Sequence, residues 1–274
     1  MASTVAPPRS KRWILWAYCT LVLIFLVAPI LAIIPLSFNS EPFFTYPLPG
    51  VSLRWYEEFF NSANWQLATR NSIIVAILST VLATVLGTLA AVGLSRPDCP
   101  TRNLLAALII SPIVIPIVVA ALGIFYFYSN FGLVGNLAGL VIAHTALGAP
   151  FVVITVTATL SGFDTRLMRA AASLGAPPLT AFRLVMLPLI MPGVVAGAIF
   201  AFVTSFDEVV VALFLAGSEQ RTLPRQMWSG LREQISPTIT AVASLLILLA
   251  AILMLTANAL QARAQRLKTR SGHE

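Results

Sequence analysis

Of the 274 residues, 58% are hydrophobic and 10% charged, and the mean hydropathy is +0.89; no soluble core of this size hides so much apolar surface, so the chain requires lipid as its solvent. The net charge is +7 and the isoelectric point near 10.1, but the basic residues stand in short segments between apolar runs and form no single face interleaved with aromatics, which excludes a nucleic-acid footprint. Cys19 lies in an apolar run, Cys99 in a polar loop, and His144 and His273 lie far apart, so neither a disulfide framework nor a metal site is expected.

Arg9, Lys11 and Arg12 precede an apolar run from Trp13 to Phe38. The run is too long for a cleaved signal and reads as a retained signal anchor. Crossing the hydrocarbon layer takes roughly 20 apolar residues in a helix, because the backbone finds no water there. Stretches at Trp13–Ser37, Asn71–Ser95, Leu104–Tyr128, Leu137–Leu160, Pro192–Ala216 and Thr238–Gln261 meet that requirement. The expected fold is therefore all-α and integral to the membrane. It has a cytoplasmic N-terminus over 1–12, a six-helix transmembrane domain over 13–262 and a basic cytoplasmic tail over 263–274.

Sorting the connections alternately places Arg9, Lys11, Arg12, Arg96, Arg102, Arg166, Arg169, Arg183, Arg263, Arg266, Lys268 and Arg270 on one side. The other side receives Arg54, Arg70, Arg221, Arg225 and Arg232. That asymmetry predicts both termini in the cytoplasm. It leaves the 39–70 loop, the 129–136 turn and the 217–237 loop outside. Small residues four apart, at Ala83, Gly87 and Ala91 and at Gly193 and Gly197, predict close helix packing. Pro112, Pro116, Pro188 and Pro192 each remove a backbone donor and predict kinks.

Between spans four and five runs Asp164-Thr-Arg-Leu-Met-Arg-Ala-Ala-Ala-Ser-Leu-Gly-Ala-Pro-Pro, followed by a segment from Leu179 to Leu184 and then Val185-Met-Leu-Pro188. Asp164 or Thr165 suits an N-cap, Arg166 to Leu174 a short helix, and Gly175 with Pro177 its stop. A short helix, a turn and a second amphipathic segment are thus expected on the cytoplasmic side. With Ala170, Ala171, Gly175, Val185, Leu187 and Pro188 in register, the loop resembles the signature of type I ABC importer permeases: Glu-Ala-Ala, three residues, Gly, nine residues, Ile-x-Leu-Pro. The resemblance implies that Arg169, Ala170, Ala171, Ser173, Gly175, Ala176 and Pro188 form an ATPase-coupling element that docks in a groove on the ATP-hydrolysing subunit. Arg169 departs from the pattern, standing where the family usually has Glu.

The chain has no Gly-x-x-x-x-Gly-Lys-Ser/Thr loop, and its only lysines, Lys11 and Lys268, lie at the termini. ATP hydrolysis is therefore expected of a separate polypeptide, with ATP and magnesium held there and no cofactor in this chain.

Asp207 and Glu208 interrupt the fifth span. An ionised side chain at a helix centre costs roughly 2.5–3.5 kcal/mol on insertion scales, so both acids are expected to face protein or water. Neighbours on a helix diverge by about 100°, so one acid can line a pathway while the other binds a helix. A purely structural pair is the alternative. His144 and Thr145 in span four read as an interhelical hydrogen-bonding pair.

Ser205-Phe206-Asp207-Glu208, the segments beginning at Arg221 and Ile235, the outer segment Ser52-Leu-Arg-Trp-Tyr and the Asn71-Ser72 opening of span two resemble the spermidine and putrescine permease branch, which also includes permeases for opines, other amines and phosphonates. The resemblance implies a bacterial inner membrane location and a second homologous permease as partner. It further implies two ATPase subunits, an extracytoplasmic solute-binding protein and a substrate path involving Phe206, Asp207 and Glu208. A stand-alone channel or secondary transporter is the rival, but no inverted repeat is evident. An intramembrane enzyme lacks a recognisable catalytic constellation.

Overall fold

The computed structural model describes residues 9–96, 100–233 and 236–252. The expected tail over 263–274, the last turns of the sixth stretch, Cys99 and most of the 1–12 segment lie outside the described residues. The described chain divides into two compact units, one formed by Met1–Ser62 with Gly230–Glu274 and the other by Ala63–Ser229.

In the first unit, α1 (Arg9–Leu36) projects apolar side chains on every side, with Phe25 74% exposed and Trp16 71% exposed. A helix apolar all round is one meant for lipid. Its C-terminal end is tied to the loop that follows. Tyr46 Oη donates to Ala32 O at 2.8 Å, and the hydroxyls of Ser37 and Tyr56 meet at 2.7 Å. The indole of Trp55, on the short amphipathic α2 (Arg54–Asn61), donates to Asn39 O at 2.6 Å. The unit also holds α12 (Thr238–Ile252), whose Thr238, Ile239 and Val242 are buried.

The second unit is built on three long helices, α3 (Ala63–Leu94), α6 (Leu137–Leu160) and α9 (Leu187–Phe206), which pack mutually. The small residues explain how closely. A Cβ on Gly197 would stand 2.8 Å from Val152 Cα and 2.5 Å from Thr155 Oγ1, and one on Gly87 would stand 2.7 Å from Val152 Cβ. Gly148 faces Ala201 and Ala83. Ala83, Ala91, Val152, Val156, Ile190 and Ala201 form the apolar centre of this contact. A second centre joins α5 (Ile117–Ser129), α6 and α10 (Val210–Leu215) through Ala121, Tyr128, Leu140, Val211 and Leu215.

The expected elements differ from the observed ones at three places. Span two opens earlier, because α3 already begins at Ala63. Its 32 residues reach about 48 Å, well beyond the hydrocarbon thickness. The stretch Leu104–Tyr128 is no single straight span: α4 (Arg102–Val114) and α5 meet at 108°. The break falls at Ile115, which is extended at φ −71° and ψ 132°, the conformation forced on a residue before proline. Pro116 therefore breaks the helix, while Pro112 is absorbed within α4. Among the described residues, four helices are individually long and apolar enough to cross a membrane, and the bent pair makes a fifth span if it counts as one.

The third difference concerns the fifth stretch. The apolar helix begins at Pro178 and ends at Phe206, through α8 (Pro178–Ala181), a π-helical turn (Phe182–Met186) and α9. The segment Leu179–Leu184 is thus the opening of the span and no separate amphipathic helix. The π turn sits directly before Pro188, where wider winding accommodates a residue without a donor.

Replacing Gly197 by Val forces atoms into the α6 backbone, and overpacking of this kind costs about 1–3 kcal/mol. The thermal midpoint of the purified protein should fall with Gly197→Val. It should not fall with Gly93→Ala, where nothing lies within 4 Å of the added methyl.

Candidate functional site

Three regions carry the functional side chains. In the loop between α6 and α8, Asp164 Oδ1 accepts from Arg166 N at 2.8 Å and opens α7 (Arg166–Ser173). An acid capping a first turn is a favourable arrangement. The helix closes with the paired bonds of a Schellman motif: Gly175 N donates to Ala172 O at 2.9 Å, and Ala176 N to Ala171 O at 3.1 Å. Gly175 stands at φ +80°, a conformation glycine adopts without strain. Asp164 rather than Thr165 is the capping side chain.

The residues of this loop do not share one face. Ala171 is buried at 8% exposure against the chain's own α8 and π turn, whereas Arg166, Arg169, Ala170 and Gly175 are exposed. Ser173 is also exposed, although its hydroxyl turns back to donate to Arg169 O at 3.0 Å. Ala176 is half-buried and Pro188 exposed. Leu174 is 88% exposed, an apolar side chain beside the arginines that the sequence reading passed over.

The second region is the break after α9. Asp207 and Glu208 do not sit within a continuous helix. The helix ends at Phe206, Asp207 is its C-cap, and α10 restarts at Val210. Counted from Pro178, the apolar helix has 29 residues and is about 43 Å long, so the acids fall at its far end and not at its centre. The 100° divergence expected of helical neighbours does not apply.

The break separates the two carboxylates chemically. Glu208 is half-buried, and its Oε1 accepts from Val211 N at 2.9 Å. It thereby satisfies a free donor in the first turn of α10, at the positive end of that helix. Asp207 is exposed and its carboxylate has no hydrogen-bonding or ionic partner among the described residues. It stands at the negative end of α9, where the helix dipole opposes an anion by about 0.3–1 kcal/mol. Phe206 is half-buried in the same turn, and Phe202, one turn earlier, stacks on it at 5.6 Å and 18°.

Just inside the break lies a group of buried polar side chains. His144 Nδ1 on α6 is 2.9 Å from Ser205 Oγ on α9, and Ser205 Oγ is 2.8 Å from Ser79 Oγ on α3. The interhelical bond expected of His144 is present. Its serine partners had no signal in the sequence, because serine is common in spans and its partners come from distant segments.

The third region is the N-terminal part of α3. Asn71 Nδ2 donates to Glu219 O at 2.8 Å and to Arg221 O at 3.0 Å. Ser72 Oγ accepts from Leu223 N at 2.7 Å, at the start of α11 (Leu223–Glu233). Arg225 Nη1 donates to the carbonyls of Ala216 and Gly217 at 2.5 and 2.7 Å. Burial first, and the neighbouring Arg221 second, lower its pKa from the ordinary arginine value. The segment 216–223 is thereby fastened to α3 at two of its backbone carbonyls and one amide.

Among the described residues the protein is built of helices, four of them long and apolar enough to cross a membrane, with an exposed loop helix and a broken, acid-bearing span. The family described as binding-protein-dependent transport system inner membrane component matches residues 83–268, and the chain belongs to it. It is a non-catalytic, inner-membrane permease subunit of an ATP-driven importer. The chain is 32% identical over 238 residues to the spermidine/putrescine transport system permease protein PotC of Escherichia coli (strain K12), covering 87% of this chain and 90% of that one. It is also 32% identical over 253 residues to the putrescine transport system permease protein PotI of the same organism, covering 90% of each. Among solved structures, a bacterial ABC transporter involved in the import of the acidic polysaccharide alginate shares the fold. That match has a TM-score of 0.71 at 18% identity, over 94% of this chain and 99% of that one.

Ser72→Ala should leave the buried Leu223 N–H without an acceptor, a loss of about 1–3 kcal/mol. Limited proteolysis of the protein should then cut more rapidly between Gly217 and Thr222 than in the unsubstituted chain.

Proposed function

We propose that this chain is one of two homologous permeases that together conduct a polyamine, or a closely related small organic cation, into the cell. In this reading the chain crosses the membrane six times, by the four long helices, the bent α4–α5 pair and the apolar stretch expected over Thr238–Gln261, and the excess of basic residues on one side assigns both termini to the cytoplasm. Two ATPase subunits carry ATP and magnesium, and an extracytoplasmic binding protein delivers the solute. The substrate class is supported by the two polyamine permeases to which the chain is similar.

The observation that carries the cation reading is the division of labour between adjacent acids. Glu208 is occupied in the α10 cap, whereas Asp207 is exposed, unpartnered among the described residues and set against an unfavourable dipole. A carboxylate kept at such a position has a role beyond stability. In surroundings of reduced dielectric it attracts an ammonium more strongly than it does in water. The attraction has to remain modest, since a tightly held solute is released slowly. Phe202 and Phe206 supply apolar faces beside the acid, suited to a chain of methylenes between charges.

Asp207→Asn should lower uptake of labelled putrescine by about tenfold with membrane abundance unchanged, the scale of one lost charge interaction of roughly 1.4 kcal/mol. Glu208→Gln should chiefly lower thermal stability, because an amide caps α10 less well than a carboxylate. Full uptake by Asp207→Asn removes the acid from the path, and preference for an opine or a phosphonate removes the polyamine.

The coupling role is assigned to α7 and its Gly175 turn. The exposed edge of Arg166, Arg169, Ala170, Ser173 and Leu174 is the part that enters the ATPase groove, with Ala171 supporting it from behind. Cysteine at 173 should therefore cross-link to the ATPase in the assembled transporter, and cysteine at 171 should not. Gly175→Val should uncouple ATP hydrolysis from uptake, because a β-branched residue is strained at φ +80°. Absence of any ATPase cross-link from position 173 sinks this assignment.

A further inference from the structure

His144 is a titratable side chain that the transport reading leaves unused. It is 1% exposed within α6, and its Nε2 is buried with no hydrogen-bond partner among the described residues. Its Nδ1 begins a chain of contacts to Ser205 Oγ at 2.9 Å and onward to Ser79 Oγ at 2.8 Å. Ser79 Oγ lies 2.6 Å from Val75 O and 3.2 Å from Ala76 O. Ser205 precedes Asp207 by two residues.

Ser79 Oγ donates to Ser205 Oγ, so Ser205 presents a lone pair on that side. His144 Nε2 has no partner among the described residues, and a proton placed there would be buried with nothing to accept it. Nδ1 therefore bears the imidazole proton and donates it to Ser205 Oγ, whose two lone pairs accept from both neighbours.

We propose that this proton-ordered chain is a clamp that positions the Asp207 carboxylate, with His144 and Ser205 acting as positioning residues for the transported cation. The proposal rests on the reading of Asp207 given above. In lipid no hydrophobic force sets the register of one apolar helix against another; packing and interhelical hydrogen bonds do. The clamp joins α3, α6 and α9 at the last turn of α9. Asp207 is the C-cap of α9 and its N–H donates to Val203 O at 3.0 Å, which ties it to the same last turn that holds Ser205. A shift of that turn therefore carries Asp207 with it.

The test uses the complete transporter. This chain has two histidines, His144 and His273, so when it alone is labelled with 15N-histidine and assembled with unlabelled partners the spectra are simple, and the signal lost in H144N identifies residue 144. Nδ1 should be protonated and Nε2 bare. Uptake of labelled putrescine should fall roughly three- to fifteen-fold in H144L and in S205A, the range of one interhelical hydrogen bond. H144N places an amide nitrogen where Nδ1 stood and should restore uptake. H144L combined with D207N should be no worse than D207N alone, because both act through one carboxylate. If leucine at 144 prevents insertion, S205A alone and with D207N makes the same comparison. A protonated Nε2, additive losses in the double variant, or full uptake by H144L and S205A beside a defective D207N overturns the clamp alone. Full uptake by D207N overturns the Asp207 reading and the clamp with it.

Discussion

Close approach of α3, α6 and α9 is the constraint on which the second unit depends. Lipid chains are as apolar as leucine, so burying leucine between spans gains little, and attraction has to come from intimate packing and from polar groups that find one another. Gly87, Gly148, Gly193 and Gly197 remove the side chains that would hold the backbones apart. Ser79, Ser205 and His144 supply hydrogen bonds where the three helices meet. The large apolar residues, such as Leu86 and Phe200, are left facing outward at more than half exposure.

That arrangement makes the break after Phe206 affordable. A helix interrupted near a membrane has free backbone donors and acceptors, and these need partners. Glu208 satisfies one of them, and α10 rests on the apolar centre formed with α5 and α6. With its neighbour so occupied, Asp207 is released from structural duty. Near the N-terminal end of α3, Asn71 and Ser72 fasten the segment that follows α10, so α3 holds the chain before and after the acids. The loop helix α7 is held only along one edge, through Ala171, and presents the rest of its surface outward.

Much of this was legible in residue order. Hydropathy placed Leu137–Leu160 at the bounds that α6 has, because a long uniform apolar run has one way to satisfy its backbone in lipid. The Asp164 cap, the 166–173 helix and the Gly175 turn followed from local chemistry, since each bond involved spans five residues or fewer. The bend at Pro116 was signalled by proline, but its size was not: 108° depends on what α4 and α5 each pack against.

The sequence by itself determined that the protein lives in a membrane, the bounds of α6, and which loop carries the short helix, because hydropathy and capping act over one element at a time. The tertiary structure decided what the polar residues in those spans do. Asp207 and Glu208 are adjacent and nearly equivalent in sequence, and a helix break separates a cap from an open carboxylate. His144 acquires its role from Ser205, 61 residues away, and Ser205 from Ser79, 126 residues away. Partnerships at that separation are set by how helices cross, and no local pattern records where two helices will touch.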